Sequence, residues 1–273
     1  MTVRCEHRDS PVTGPVPNRP GGDPRLDSAS RQSLGAAFAT GGEHYHAVRP
    51  SYPAQTVDFL VPAGARTAVD LGAGTGLFTR LLADRGLEVT AVDPSASMLE
   101  PLRRAVPSAA VVQAAAEHTG LDSGGFDLVT SAQAWHWIDP DAGSAEAARL
   151  LRPGGTLALV WNQLDTSVPW VHRLTRIMHA GDVHAAGSGR PQRRTRAPFG
   201  AEEHHEVRWT DRTTPAGLHA LMASRSYWLR SGEHIHARMT ANLEWYLHEH
   251  LGFATDEMIE LPYLTLALRT RRD

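Results

Sequence analysis

The stretch AVDLGAGTGLF, from Ala68 to Phe78, ends an apolar run on a carboxylate and follows it with glycines at 72, 74 and 76. Such a run, closing on a glycine-rich turn before a second apolar segment, reads as strand, tight turn and helix. That unit carries nucleotides at the carboxyl edge of a parallel sheet. The dinucleotide fingerprint wants glycines at its first, third and sixth positions. Gly72 and Gly74 fit, but the sixth position is Leu77, and Gly76 stands one early. Asp70, aimed at the loop, would repel a pyrophosphate and attract a cation. The loop therefore suits a ligand that brings positive charge and no phosphate.

Outward from this loop, short β-rich runs alternate with helical ones. TAVDL, EVTAVD, AAVVQA, FDLVTSA and TLALVW are the predicted strands; LFTRLLADRG, SASMLEPLRRAV and PDAGSAEAARLL are the helices between them. This alternation predicts a parallel sheet covered on both faces. Asp139-Pro140 forms an N-cap and first-turn pair for the last of these helices, and Gly154-Gly155 is expected to stop it. After Trp161 the pattern changes. VPWVHRLTRIMHA, TPAGLHALMASRSYW and the stretch from Gly232 to Leu251 read as helices, while HHEVRWT and LPYLTLALRT read as late strands. The polar loop around residues 190–196 (RPQRRTR) reads as a solvated loop or a lid. Residues 1–33, rich in proline and glycine, read as a disordered leader. The rest, 34–273, reads as one domain: a ligand-binding core at about 60–163, with a cap from 34–60 and from segments after 163.

Composition narrows the function. A formal net charge of −3 over 273 residues gives no electrostatic case for nucleic acid or an anionic membrane surface. No apolar stretch approaches the roughly 20 residues that span a bilayer, and no secretory signal is evident, so the expected location is cytoplasmic. Cys5 is the single cysteine, which excludes an intrachain disulfide and a thiolate metal cluster. Every one of the 27 Lys+Arg residues is arginine. That absence of lysine excludes a Schiff-base lysine and a Walker lysine together. The histidine pairs His204–His205, His234/His236 and His248/His250 lack carboxylates at matching spacing, so no metal site is expected.

Asp93 ends the second predicted strand about 20 residues past the loop, where a carboxylate can accept both hydroxyls of a ribose. The ordered blocks VDLGAGTG, AVDPSASML, AAAEHTGLDSGGFDLVTSAQAWHW and LLRPGGTLALVW resemble the class I methyltransferases that use S-adenosyl-L-methionine (SAM). Within them the chain is similar to the small-molecule branch related to trans-aconitate methyltransferases, from about Tyr45 to Asn162. The resemblance implies a Rossmann-like α/β fold: a mostly parallel seven-stranded sheet with a late antiparallel strand and a helical cap. It also implies an enzyme that releases S-adenosyl-L-homocysteine (SAH). Asp70, Gly72, Ala73 and Gly74 would line the methionine moiety, Asp93 the ribose, and Pro94 and Met98 the adenine. Ala115, Ala116 and Glu117 occupy the adenine-edge segment, where relatives carry an aspartate that is missing from AAAE. Gln133 would lie under the methyl donor. In YHAVRPSYP, Tyr45 and Arg49 look like the family's N-terminal clamp, with Arg49 a candidate for the cofactor carboxylate.

The acceptor is expected at the same sheet edge. Trp135, His136 and Trp137 follow the fourth strand, and Trp161 and Asn162 end the fifth. Ser226 and Tyr227, in SRSYW, resemble a segment that relatives fold over the pocket. Aromatic faces suit a flat acceptor. An imidazole of ordinary pKa near 6.5 could take a proton from an indole or phenol, which makes His136 the candidate catalytic residue. The surplus of aromatics favours an aromatic or indole-like small molecule of bacterial secondary metabolism, methylated on carbon or nitrogen. The alternative is a carboxylate O-methyltransferase, which needs arginines in the pocket. A nicotinamide oxidoreductase or a non-catalytic SAM-binding protein would be more distant readings.

Overall fold

The computed structural model describes residues 48–178 and 195–273. The predicted leader, Tyr45 and nearly all of the 190–196 loop lie outside the described residues. Seven strands form one sheet in the order β3-β2-β1-β4-β5-β7-β6. They are β1 (Thr67–Leu71), β2 (Glu88–Asp93), β3 (Ala110–Gln113), β4 (Phe126–Ala132), β5 (Leu151–Leu164), β6 (Glu203–Thr213) and β7 (Ile259–Arg271). Strands β1 to β5 pair in parallel. Strand β7 runs antiparallel to both β5 and β6, and is therefore the one reversed strand of the sheet. This is the mostly parallel sheet with a late antiparallel strand that the sequence predicts.

The central strands are apolar on both faces because helices cover both. Val69, Leu71, Leu157, Leu159 and Trp161 point to one side, packing with Leu150 of α4 (Pro140–Leu150). Ala68, Leu128, Ala158 and Val160 point to the other, against α1 (Ala54–Leu60) and α2 (Leu77–Ala83). Helix α3 (Ala96–Ala105) covers Ala91 through Leu99 and Leu102. At the N-terminus of α4, Asp139 accepts hydrogen bonds from the Asp141 and Ala142 backbones, and Pro140 takes the first turn.

Beyond β5 the chain builds a second core from α5 (Pro169–Met178), α6 (Pro215–Ala223), α7 (Ser226–Arg230), α8 (Glu233–Glu244) and a π-helical turn, Trp245–His250. Val171, Leu174 and Met178 recur at helical spacing and meet Leu218, Met239, Leu243 and Leu261. This cluster is the cap. Among the described residues, no helix is long and apolar enough to cross a membrane.

Two local expectations are corrected. Gly154-Gly155 does not stop a helix: α4 ends at Leu150, and Leu151 already pairs with Phe126 in β5. The sheet ladder captures the backbone first, and Gly154 (φ 74°) sits beside a shift of register within the strand. The predicted single helix TPAGLHALMASRSYW is in fact α6 and α7, broken at Ser224 and an extended Arg225. The Ser224 hydroxyl donates to the Leu221 carbonyl at 2.7 Å, competing with the helix's own hydrogen bonding.

Glu146 locks α4 to the β3–β4 connection. It accepts from the Thr119 amide at 2.8 Å and hydroxyl at 2.6 Å, and pairs with Arg149 at 2.8 Å. These donors hold its carboxyl down at about 2, against a burial that alone would raise it. A depressed carboxyl contributes stability above its unfolded pKa and loses it as pH falls through the folded one. Acid unfolding monitored by circular dichroism should show this loss between about pH 4.5 and 2. Glu146→Gln should remove that part of the acid dependence and destabilise the fold at neutral pH by about 1–3 kcal/mol.

Candidate functional site

The chain passes from β1 to β2 on one side and returns to β4 on the other, so a crevice opens at the carboxyl ends of β1 and β4. The loop after β1 is bound to the end of β2: Gly72 and Ala73 donate to the Val92 carbonyl at 2.8 and 3.0 Å. Gly72 has φ 70°, and a Cβ placed there would lie 2.3 Å from the Ala134 Cβ. Only a residue without a side chain lets this loop press against the end of β4. Gly74, at φ 54°, faces open space, so its left-handed turn leaves bare backbone exposed.

Two carboxylates flank this loop. Asp93 accepts from Gly74 N and Ser95 N, both at 2.9 Å, and burial raises its pKa. Asp70 has no exposed surface. Its oxygens accept from the hydroxyls of Thr79 (2.7 Å) and Thr130 (2.9 Å), and burial lifts its carboxyl to about 6. Asp70, expected to line the ligand, sits behind the loop, where it ties β1 to α2 and β4.

The adenine-edge candidates lie beside the crevice. Met98 and Ala116 are buried, whereas Pro94 and Ala115 are exposed. Glu117 accepts from the Asp139 amide at 2.9 Å, so it braces the start of α4. Gln133 closes β4 in a left-handed conformation, φ 57°, the one non-glycine with positive φ among the described residues. Its Nε2 donates to the Asn162 carbonyl at 2.7 Å. Asn162 in turn donates to the Ser51 carbonyl (3.0 Å) and accepts from Thr265 (2.6 Å). Glutamine held in this region costs of order 1 kcal/mol, a cost that persists only where surrounding contacts over-determine it.

The aromatic wall is revised. Trp135 and Trp161 are 1% and 2% exposed and belong to the core beneath the sheet edge, because indoles of that size gain most from full burial. Trp137 remains half-buried, with the His136 ring 4.4 Å from its own. His136 Nδ1 is buried with no hydrogen-bond partner, and burial lowers the imidazole to about 4. His136, the expected catalytic residue, is thus held neutral, with its imidazole below the ordinary value near 6.5.

On the cap side, Arg49 donates from Nη2 to the Ser224 carbonyl at 3.0 Å, beside Arg225, Ser226 and Tyr227. The Arg49 and Arg225 charges both reach Tyr263, a buried phenol that stacks on Trp209 at 5.2 Å. Sequence reading missed Arg225 and Tyr263. Arg225 lay within the quoted SRSYW, but only the break between α6 and α7 brings it beside Arg49; the face of Tyr263 depends on strand register. A shallow hollow around Pro62, Thr156 and Arg269 lies at the opposite end of the sheet, away from all these groups.

Comparison with known proteins agrees with this geometry. Residues 69–159 match the family model described as a methyltransferase domain. The chain is 40% identical over 243 residues to the uncharacterized methyltransferase Rv3342 of Mycobacterium tuberculosis, covering 89% of this chain and 98% of that protein. It is 39% identical over 145 residues to a malonyl-[acyl-carrier protein] O-methyltransferase of Enterobacter lignolyticus, covering 52% of this chain and 58% of the relative. Among solved structures, one from Anaeromyxobacter dehalogenans named for a type II methyltransferase shares the fold, with TM-score 0.59, 24% identity and coverage of 82% and 97%.

Gly72→Ala tests the close approach of the loop to β4. A left-handed alanine costs about 1 kcal/mol, and the overlap with Ala134 adds about 1–3 kcal/mol. Urea unfolding should show a loss of about 2–4 kcal/mol, and Gly74→Ala, with open space before it, should lose about 1 kcal/mol.

Proposed function

This chain belongs to the class I SAM-dependent methyltransferases, and from that premise we propose that it transfers the methyl group to a carboxylate oxygen of a small molecule. SAM, when bound, would supply a sulfonium-activated methyl for the carboxylate oxygen, the C–S electron pair leaving with sulfur as SAH. The crevice fits such a cofactor: a bare backbone turn at Gly74, a carboxylate at its rim, and a second carboxylate behind the loop. In this reading Asp93 holds the ribose and the Gly72–Gly74 backbone the methionine moiety. Pro94 and Met98 flank the adenine, with the backbone of Ala115 and Ala116 along its edge. Arg49 and Tyr45 close the amino-acid end, and Gln133 forms the floor under the methyl.

The observation that carries the acceptor class is His136, neutral and with a buried Nδ1 that has no hydrogen-bond partner. An imidazole whose conjugate acid forms only near pH 4 is a weak base for an indole N–H or a phenol. A carboxylate is already ionised and needs no base, leaving His136 to position it. Burial of Trp135 and Trp161 supports the same choice, since the flat-acceptor reading leaned on them. The O-methyltransferase relative named for a malonyl group is consistent with it. Transfer from methyl-labelled SAM tests the reading: carboxylic acids should yield alkali-labile methyl esters, and label entering indoles instead would refute it.

Two further outcomes follow. A charge-assisted bond is worth about 1.5–3 kcal/mol, so Asp93→Ala should weaken SAM binding by roughly tenfold to a hundredfold in calorimetry. The pH profile of kcat should be flat from about pH 7 to 8, where Asp70 keeps its charge and the His136 imidazole stays neutral, and should fall furthest as pH drops toward 4 and the imidazole gains its proton.

A further inference from the structure

The hollow at the far end of the sheet encloses about 290 Å³ between the turn after α1, the start of β6 and the end of β7. Strand register builds its base. Thr156 of β5 pairs with Arg271 of β7, and Glu203 of β6 pairs with Arg269. Paired residues point to the same face, and Arg269 and Arg271 are two apart, so all four side chains share one face of the sheet. Pro62 and Ala63, just past α1, form an apolar wall beside them.

Arg269 is fully engaged. Its Nε and Nη2 donate to Glu203 Oε2 at 3.3 and 2.7 Å, its Nη1 donates to the Phe59 carbonyl at 2.7 Å, and its guanidinium lies over the Phe59 ring. Arg271 is not. Strand β6 begins at Glu203, so no strand residue stands across from Arg271 on that side; Gly200 donates to its carbonyl at 3.2 Å and brings no side chain. The Arg271 guanidinium makes no hydrogen bond or close ion pair among the described residues and exerts only a longer-range pull on Glu203. Thr156 is 3% exposed, and its hydroxyl also has no partner among the described residues. A hydroxyl so nearly withdrawn from solvent and left unpaired costs free energy that a bound water or ligand recovers.

A guanidinium fork beside a hydroxyl matches the two oxygens of a carboxylate. Glu203, one strand over, disfavours a dianion such as phosphate. We propose that this hollow binds a small monocarboxylate, its oxygens shared between the Arg271 guanidinium and the Thr156 hydroxyl and its short apolar body against Pro62 and Ala63. Thr156 lies six residues before Asn162 on β5. At about 3.3 Å per residue the hollow is therefore roughly 20 Å from the crevice, which makes it a second site and no part of the acceptor's.

The test titrates the isotope-labelled full chain with butyrate, butyramide and inorganic phosphate at constant pH and ionic strength, following backbone amides by NMR. Butyrate should shift the amides of Ala63, Thr156 and Arg271 saturably. Butyramide, the same shape without the charge, should bind there at least about tenfold more weakly, the worth of one charge-assisted contact. Arg271→Gln should cost butyrate a similar factor, and Thr156→Val, which keeps the shape and removes the hydroxyl, about twofold to tenfold. The absence of saturable shifts at these amides, shifts confined to the crevice around Gly74 and Gln133, or equal binding of butyrate and butyramide would each overturn the site. Undiminished butyrate binding in Arg271→Gln would do the same, and tighter binding of phosphate than of butyrate would overturn the choice of a monocarboxylate. Because butyrate and butyramide are compared on the wild-type protein, the result stands even if a variant fails to fold.

Discussion

A buried carboxylate governs the ligand end of this sheet. Asp70 has no contact with water, and two threonine hydroxyls hold it where the end of β1 meets the start of α2 and the side of β4. Taking such a group out of water costs several kcal/mol, which the hydroxyls offset only in part, and its pKa rises accordingly. The Asp93 charge acts on it from across the glycine loop. Two acidic groups behind and beside one exposed turn make that turn hospitable to cations. A phosphate would meet repulsion there, whereas a sulfonium and an ammonium are drawn in. Asp70 thus shapes the electrostatics of the loop from behind it.

The same logic orders the acceptor side. Burial that costs Asp70 its acidity costs His136 its basicity, since in each case the charged form is the one that loses water. On the carboxylate reading proposed above, the acceptor arrives deprotonated and asks no base of His136. Proximity and alignment then supply most of the acceleration.

The alternation of strands and helices was legible in the sequence because parallel strands buried on both faces read as unbroken apolar runs. The loop was legible because glycine spacing is a backbone requirement, and backbone requirements leave few residue choices. Other features were not. Trp135 and Trp161 sit beside the site in sequence and beneath it in space, and a local reading cannot separate the two. Gly154 carries the same letter whether it stops a helix or bends a strand; the pairing of Leu151 with Phe126 decides. Arg225 and Tyr263 are 38 positions apart and meet only through the cap's packing. The late strands were readable as strands, but which of their side chains face the crevice depends on the register of β7 against β5.

Asn162 joins three parts of the molecule: the segment before α1, the reversed strand and the end of β4. Its side chain holds the segment before α1 through Ser51 and the reversed strand through Thr265, while its carbonyl holds the left-handed Gln133. Each bond is worth only about 0.5–1.5 kcal/mol, but none can be released without disturbing the others' geometry. One asparagine thereby ties the lead into α1, the reversed strand and the left-handed turn at Gln133 into one hydrogen-bonded network.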